Sequence, residues 1–117
     1  DADYTQNADT FCGWYGRVIA QLKTHAPNAK IVLIKPWTSV ASASAYGIAV
    51  ANIATHYGIP CIDPYDDVFF YGGYLSPSIN GGHPTLMGYN MMGIAMERLF
   101  SKCVVEHPSY FKYATVG

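Results

Sequence analysis

Two short apolar runs, separated by a segment with helical spacing, place the strongest constraint on how this chain folds. Residues 31–34 read IVLI, with three β-branched side chains, and residues 59–62 read IPCI. Continuous apolar runs of this length are typical of strands buried on both faces of a parallel sheet. Strands that alternate with helices imply right-handed crossovers and a sheet covered on both sides. We therefore expect an α/β fold with a parallel sheet flanked by helices.

The segments around these runs carry helical periodicity. Before the first run, apolar residues recur at the spacing of one buried helix face: Phe11, Trp14, Tyr15, Val18, Ile19 and Leu22. Between the runs, a second set has the same spacing: Ala45, Ile48, Ala49, Asn52, Ile53 and His56. A last helix is predicted over about residues 84–101, and residues 104–117 form a tail that we expect to add a short strand. The whole chain, residues 1–117, is predicted to be a single domain.

The predicted sheet is thin, because two strands fall short of the roughly four to six in most stable sheets. Unpaired strand edges of this apolar kind are a liability in an isolated chain. We therefore expect the sheet to be completed by the tail, by an upstream segment, or by a second copy in a homo-oligomer.

Composition and charge exclude several classes of function. The chain has 117 residues and a formal net charge of −1, with no basic stripe, so nucleic-acid binding is not expected. No apolar run approaches the ~18 residues that a membrane span requires. The three cysteines, Cys12, Cys61 and Cys103, match no metal-binding spacing and are interpreted as small core residues, with one disulfide left open. No metal and no cofactor are expected.

His83 is the most distinctive candidate for chemistry. It follows Gly81 and Gly82 and precedes Pro84, directly ahead of the last predicted helix. Proline suits the first turn of a helix, which would place His83 near the N-cap, where the helix dipole disfavours a charged imidazole. A neutral histidine is what a general base needs. The alternative is a capping or loop histidine without a chemical role.

The segment around His83 also carries a family resemblance. The string GGHPTLMGYNMMGIAMERL resembles the final block of the SGNH, or GDSL-type, hydrolases, in which a His-Pro pair is followed by Gly-Tyr and a Met/Ala-rich helix. Two earlier strings, YGRVIAQLKTHAPNAKIVLIKPW and ANIATHYGIPCIDPYDDV, are similar to helix and strand segments of that family. The resemblance covers about residues 11–103. It implies the flavodoxin-like C-terminal half of an SGNH hydrolase, a lipase- or acylhydrolase-like enzyme acting on a small-molecule or glycan ester. It also slightly favours a secreted or extracytoplasmic location.

Two departures from the family pattern bear on activity. The family's catalytic aspartate stands three residues before the histidine, and here that position is Asn80, which orients an imidazole but does not stabilise its charged form as a carboxylate does. Asp63, Asp66 and Asp67 are the possible acid partners of His83, with a solvated turn as the alternative interpretation. The family's GDS block, which carries the nucleophile, and its GxND string are both absent. The serine and the oxyanion donors are therefore expected from an upstream segment or a partner chain, and this chain alone is expected to be a poor esterase.

Five serines of this chain are candidate replacement nucleophiles: Ser39, Ser42, Ser44, Ser76 and Ser78. None of them lies in a Gly-x-Ser-x-Gly elbow. Trp37 and Gly82 are the expected substrate-binding residues. The rival hypothesis is a non-catalytic module that keeps the scaffold and binds carbohydrate or protein through the aromatic string YDDVFFYGGYL, since Tyr and Phe offer large stacking surfaces.

Overall fold

The structure is a computed structural model that describes residues 9–37, 44–72, 79–80 and 83–112. Its helices are α1 (Phe11–His25), α2 (Ala45–Tyr57), α3 (Val68–Tyr71), α4 (Leu86–Glu106) and α5 (Pro108–Phe111). Its strands are β1 (Leu33–Ile34), β2 (Cys61–Ile62), β3 (Ile79–Asn80) and β4 (His83–Pro84), and a 3-10 turn covers Pro64–Asp66. Within these ranges, no helix is both long and apolar enough to cross a bilayer.

The expected parallel sheet flanked by helices, in the form of a flavodoxin-like half, is wrong. Most of the described residues are helical, and the parallel pairing among them is the two-residue ladder of β1 and β2. The Leu33 amide donates to the Pro60 carbonyl at 3.0 Å and the Lys35 amide donates to the Ile62 carbonyl at 2.9 Å. Proline has no amide hydrogen, so Pro36 and Pro60 limit how far the ladder extends. The two apolar runs predict where strands lie but overestimate their length.

The predicted tail strand is also wrong over the described residues. Helix α4 runs on to Glu106, well past the predicted end, and α5 follows at Pro108–Phe111. The tail still contacts the segments of the sheet, through Phe111 in the cluster around Ile62 and through Tyr110. The Tyr110 hydroxyl accepts a hydrogen bond from the Ile31 amide at 3.0 Å and donates to the Ile31 carbonyl at 2.7 Å. It therefore satisfies the backbone just before β1 without forming a strand.

Two apolar clusters form the core, one on each side of the β1–β2 pair. The first joins α1 and α2 to β1 and to a residue two positions before β2: Cys12, Ile19, Leu33, Val50, Ile53, Ala54 and Ile59. The second joins β2, α3 and α4: Ile62, Phe69, Phe70, Ala95, Leu99 and Cys103. Leu33 belongs to the first cluster while its neighbour Val32 packs against the second, as expected when successive side chains of a strand point to opposite faces.

The predicted buried face of α1 is wrong in most of its members. Four of its large side chains are 37–54% exposed: Phe11, Trp14, Val18 and Leu22. The buried residues are Cys12, Gly13, Gly16 and Ile19, and α1 packs against α2. Small residues let two helices approach closely, so α1 buries its small face and leaves its large apolar residues at the surface.

The ends of α2 follow from its sequence. The Ser44 hydroxyl accepts a hydrogen bond from the Gly47 amide at 3.2 Å, as an N-cap serine does. Gly58 closes the helix in the left-handed conformation, with φ of 65°, which glycine adopts without a Cβ clash. These caps fix α2 between the two strands, with Ile53 fully buried against the sheet and Ile48 54% exposed.

Candidate functional site

The segment that carries His83 forms a short antiparallel ribbon. Strands β3 and β4 pair with Ile79 opposite Pro84 and Asn80 opposite His83. The backbone thus brings together the two positions that the sequence predicts to act as a base and its orienting amide. The predicted roles of the Asn80 side chain and of Gly82 lie outside the described residues.

His83 lies farther from the helix than the sequence predicts. Pro84 belongs to β4, and the N-cap of α4 is Thr85, whose hydroxyl oxygen accepts a hydrogen bond from the Gly88 amide at 3.1 Å. A threonine side chain satisfies a free amide of the first turn, which explains why it takes the cap position. His83 therefore stands two residues before the cap, and its side chain is exposed.

Asp67 has a structural role that occupies both of its carboxylate oxygens. It is 8% exposed and forms a two-pronged pair with Arg98, whose Nε and Nη2 donate to its Oδ2 and Oδ1, each at 2.8 Å. Its Oδ1 also accepts a hydrogen bond from the Phe69 amide at 3.0 Å, which caps α3. The hydrogen bonds from Arg98 lower the pKa of Asp67 from its ordinary value of 3.8, and the Phe69 amide lowers that pKa further, although burial opposes both.

Asp63 and Asp66 lie on the same connection between β2 and α3. The Asp63 carboxylate accepts hydrogen bonds from the Tyr65 amide at 3.0 Å and from Lys35 Nζ at 3.2 Å, so it caps the 3-10 turn and pairs with β1. Asp66 is exposed. Among the described residues, no hydrogen bond or ion pair joins His83 to any of the three predicted acid partners. The roles of these acids as partners of His83 therefore stay predictions.

A small crevice lies beside β2, and its lining includes Asp66 and two cysteines, Cys61 and Cys103. Its volume of about 20 Å³ admits roughly one water molecule, which is too little for an organic ligand. None of the three cysteines forms a disulfide bond. Burial raises the pKa of Cys61 and of Cys103, which keeps both thiols protonated and therefore weak nucleophiles. Across the described ranges, no group of side chains is arranged to hold a metal ion.

A larger apolar groove lies along α1, with a volume of about 390 Å³ and a lining of Phe11, Trp14, Tyr15 and Val18. Sequence reasoning missed this groove because it assigned the same residues to the core. The pair Gly13 and Gly16 was the available signal, since small residues on one face of a helix mark the side that packs closely. Trp37, the predicted substrate-binding residue beyond β1, packs against the second core cluster.

No protein-family model, curated protein or solved structure matches this chain. The resemblance to SGNH hydrolases therefore stays a prediction from the sequence.

Proposed function

We propose that this chain supplies the general base of a serine-dependent ester hydrolase, with His83 as that base and with the serine on a segment outside these 117 residues. The observation that supports this proposal best is the placement of His83. Its side chain is exposed, its backbone is paired with Asn80, and the rigid helix α4 begins three residues later. An accessible imidazole on a backbone held by strand pairing suits proton transfer to and from a bound substrate.

The proposed chemistry follows from the properties of imidazole. The neutral His83 ring accepts the proton of the serine hydroxyl while the serine oxygen bonds to the acyl carbon of the ester. The bond from the acyl carbon to the alcohol oxygen then breaks, and the ring gives its proton to the departing alkoxide. Water attacks the acyl-serine in the same way, which releases a carboxylic acid and restores the serine. Asn80 is the proposed orienting residue, because its backbone pairs with that of His83, whereas the carboxylates of Asp63 and Asp67 bind other groups.

The free edge of β1 is the proposed attachment point for the serine-bearing segment. Among the described residues, β1 pairs with β2 along one edge, so the backbone groups of Ile34 face the opposite side. The Ile34 side chain is 41% exposed, which is unusual for a residue of a short parallel strand. An extended segment that pairs with this edge would satisfy those groups and cover Ile34.

Ester hydrolysis by the protein purified from its own source, together with any polypeptide bound to it, tests the proposal. The probes are p-nitrophenyl acetate and p-nitrophenyl butyrate, which report on esterase activity without knowledge of the natural substrate. We expect His83→Gln to lower the rate at least about a hundredfold, as loss of a general base does. The matched control is His56→Gln, on the exposed side of α2, which should retain the full rate. Equal rates in the two variants, or no hydrolysis in the unmodified preparation, would contradict the proposal.

A second candidate is a non-catalytic module that binds carbohydrate or protein. It is favoured by the engagement of Asp67 with Arg98 and of Asp63 with Lys35, which leaves His83 without a carboxylate partner among the described residues. The exposed ring of Tyr71, 61% accessible at the end of α3, offers a surface for contact. Saturable binding on a glycan array, lost in Tyr71→Ala and unchanged in His83→Gln, would establish this function in place of hydrolysis.

A further inference from the structure

The exposed apolar residues of α1 form a continuous stripe on the surface of the helix. We call this surface the α1 stripe and define it as Phe11, Trp14, Val18 and Leu22, which are 37%, 54%, 54% and 44% exposed. Their spacing of i, i+3, i+7 and i+11 places them on one side of the helix, because an α-helix has about 3.6 residues per turn. Tyr46, at the start of α2, extends the stripe, with its ring 5.0 Å from that of Phe11 and 63% exposed.

The central side chain of the stripe is held in a fixed orientation. The Trp14 indole N–H donates a hydrogen bond to Asp9 Oδ1 at 2.8 Å, and the Arg17 guanidinium lies 4.1 Å from the centre of the Trp14 ring. A tryptophan restrained on two sides loses little rotamer freedom when it is buried by a partner. Such anchored aromatic residues are the usual centres of binding energy in protein interfaces.

The exposed area of the α1 stripe indicates how large an interface it can form. Aromatic side chains bury about 150–250 Å² each, so the exposed parts of Phe11, Trp14 and Tyr46 amount to roughly 300 Å². With Val18 and Leu22 added, two copies would bury on the order of 900 Å² in total, which is below the roughly 1,200 Å² of a stable specific interface and in the range of weak, transient contacts. The expected contact is therefore weak and dependent on concentration.

We propose that the α1 stripe binds the α1 stripe of a second copy of this chain, with the two helices antiparallel. An antiparallel register that sets Phe11 of one copy against Leu22 of the other places Trp14 within one residue of Val18, so each large side chain lies near a smaller one. Asp9 precedes the helix at one end, and Lys23 and His25 lie in its last turn. The antiparallel arrangement brings the acid of each copy near the basic end of the other, whereas a parallel pair would place like charges together. This inference is independent of the proposed hydrolase.

Sedimentation velocity over a hundredfold range of concentration tests the proposal on the full chain. We expect a reversible shift from monomer to dimer. Trp14→Ser should raise the dissociation constant at least tenfold. The matched control is Val105→Ser, which removes an apolar side chain that is 77% exposed on α4 and should leave the dissociation constant unchanged. A monomer at every concentration, or equal effects of the two substitutions, would overturn the proposal.

Charge reversal tests the antiparallel arrangement, and Asp9→Asn, which keeps an oxygen that can accept from the Trp14 indole N–H, separates the effect of charge from the loss of that hydrogen bond. Asp9→Lys and His25→Asp should each weaken the dimer, because each places like charges together at both ends of the helix pair. The double variant should recover most of the lost affinity, since the attraction is restored with opposite signs. Circular dichroism of each variant checks that α1 stays folded. Additive losses without recovery in a folded double variant would refute the antiparallel arrangement.

Discussion

The role of Asp67 leads to the most specific quantitative prediction. The Asp67→Ala substitution removes the hydrogen bond to the Phe69 amide at the start of α3 and both hydrogen bonds from Arg98. Loss of an N-cap side chain costs about 1 kcal/mol. Hydrogen bonds to charged groups contribute about 1.5–3 kcal/mol, and we reduce this to about 1–2 kcal/mol because the Arg98 side chain is 51% exposed and screened by solvent. The free energy of unfolding should therefore fall by about 2–3 kcal/mol.

Urea denaturation followed by circular dichroism measures this loss, and a thermal scan should show Tm lowered by roughly 10 °C. The matched control is Asp66→Ala, one residue earlier and exposed, which should change the free energy of unfolding by less than about 0.5 kcal/mol. Equal losses in the two variants would refute the structural role of Asp67.

The same pair predicts how stability depends on pH. Because Arg98 lowers the pKa of Asp67 in the folded chain, the unfolded chain binds the proton more readily. The stabilisation is complete above the ordinary carboxyl pKa of 3.8 and is lost as the pH falls through the lower pKa of the folded state. Urea midpoints measured between neutral and acidic pH should fall less steeply in Asp67→Ala than in the unmodified chain. Parallel curves would contradict this linkage.

Two further predictions concern the scaffold. Gly58→Ala should lower the free energy of unfolding by about 1–2 kcal/mol, because φ there is 65°. Gly93→Ala, inside α4, should raise the free energy of unfolding by about 0.5–1 kcal/mol. No atom obstructs an added Cβ at either site, so urea midpoints that move in the same direction would contradict the backbone argument. Tyr110→Phe should lower the free energy of unfolding by about 1–2 kcal/mol, because the amide and carbonyl of Ile31 both lose their hydroxyl partner; an unchanged urea midpoint would refute that contribution.

The sequence predicted local elements better than it predicted their surroundings. The periodicity of α1 and α2 and the glycine at position 58 located two helices, and the two apolar runs located the parallel pair. The buried side of α1 could not be predicted in the same way. An apolar stripe does not show which side of a helix packs against the rest of the chain, and here the small residues Gly13 and Gly16 are buried instead of the stripe.

The structure pairs the backbones of Asn80 and His83 in the β3–β4 ribbon, which the sequence spacing alone does not specify. Their roles as an orienting amide and a base stay predictions. The roles of the three aspartates depended on groups distant in sequence. Arg98 is 31 residues from Asp67 and Lys35 is 28 residues from Asp63, so no local sequence pattern predicts either ion pair. Long-range ion pairs of this kind become visible once the helices are packed.

The most direct test of the central claim is covalent labelling with a fluorophosphonate, followed by mass spectrometry of every polypeptide in the preparation from the native source. Fluorophosphonates react with serines that a general base activates. We expect one adduct, on a serine outside these 117 residues. This adduct should disappear in His83→Gln and persist in His56→Gln. The absence of any adduct, an adduct on a serine of this chain, or labelling that survives His83→Gln would contradict the claim that His83 serves a serine supplied from elsewhere.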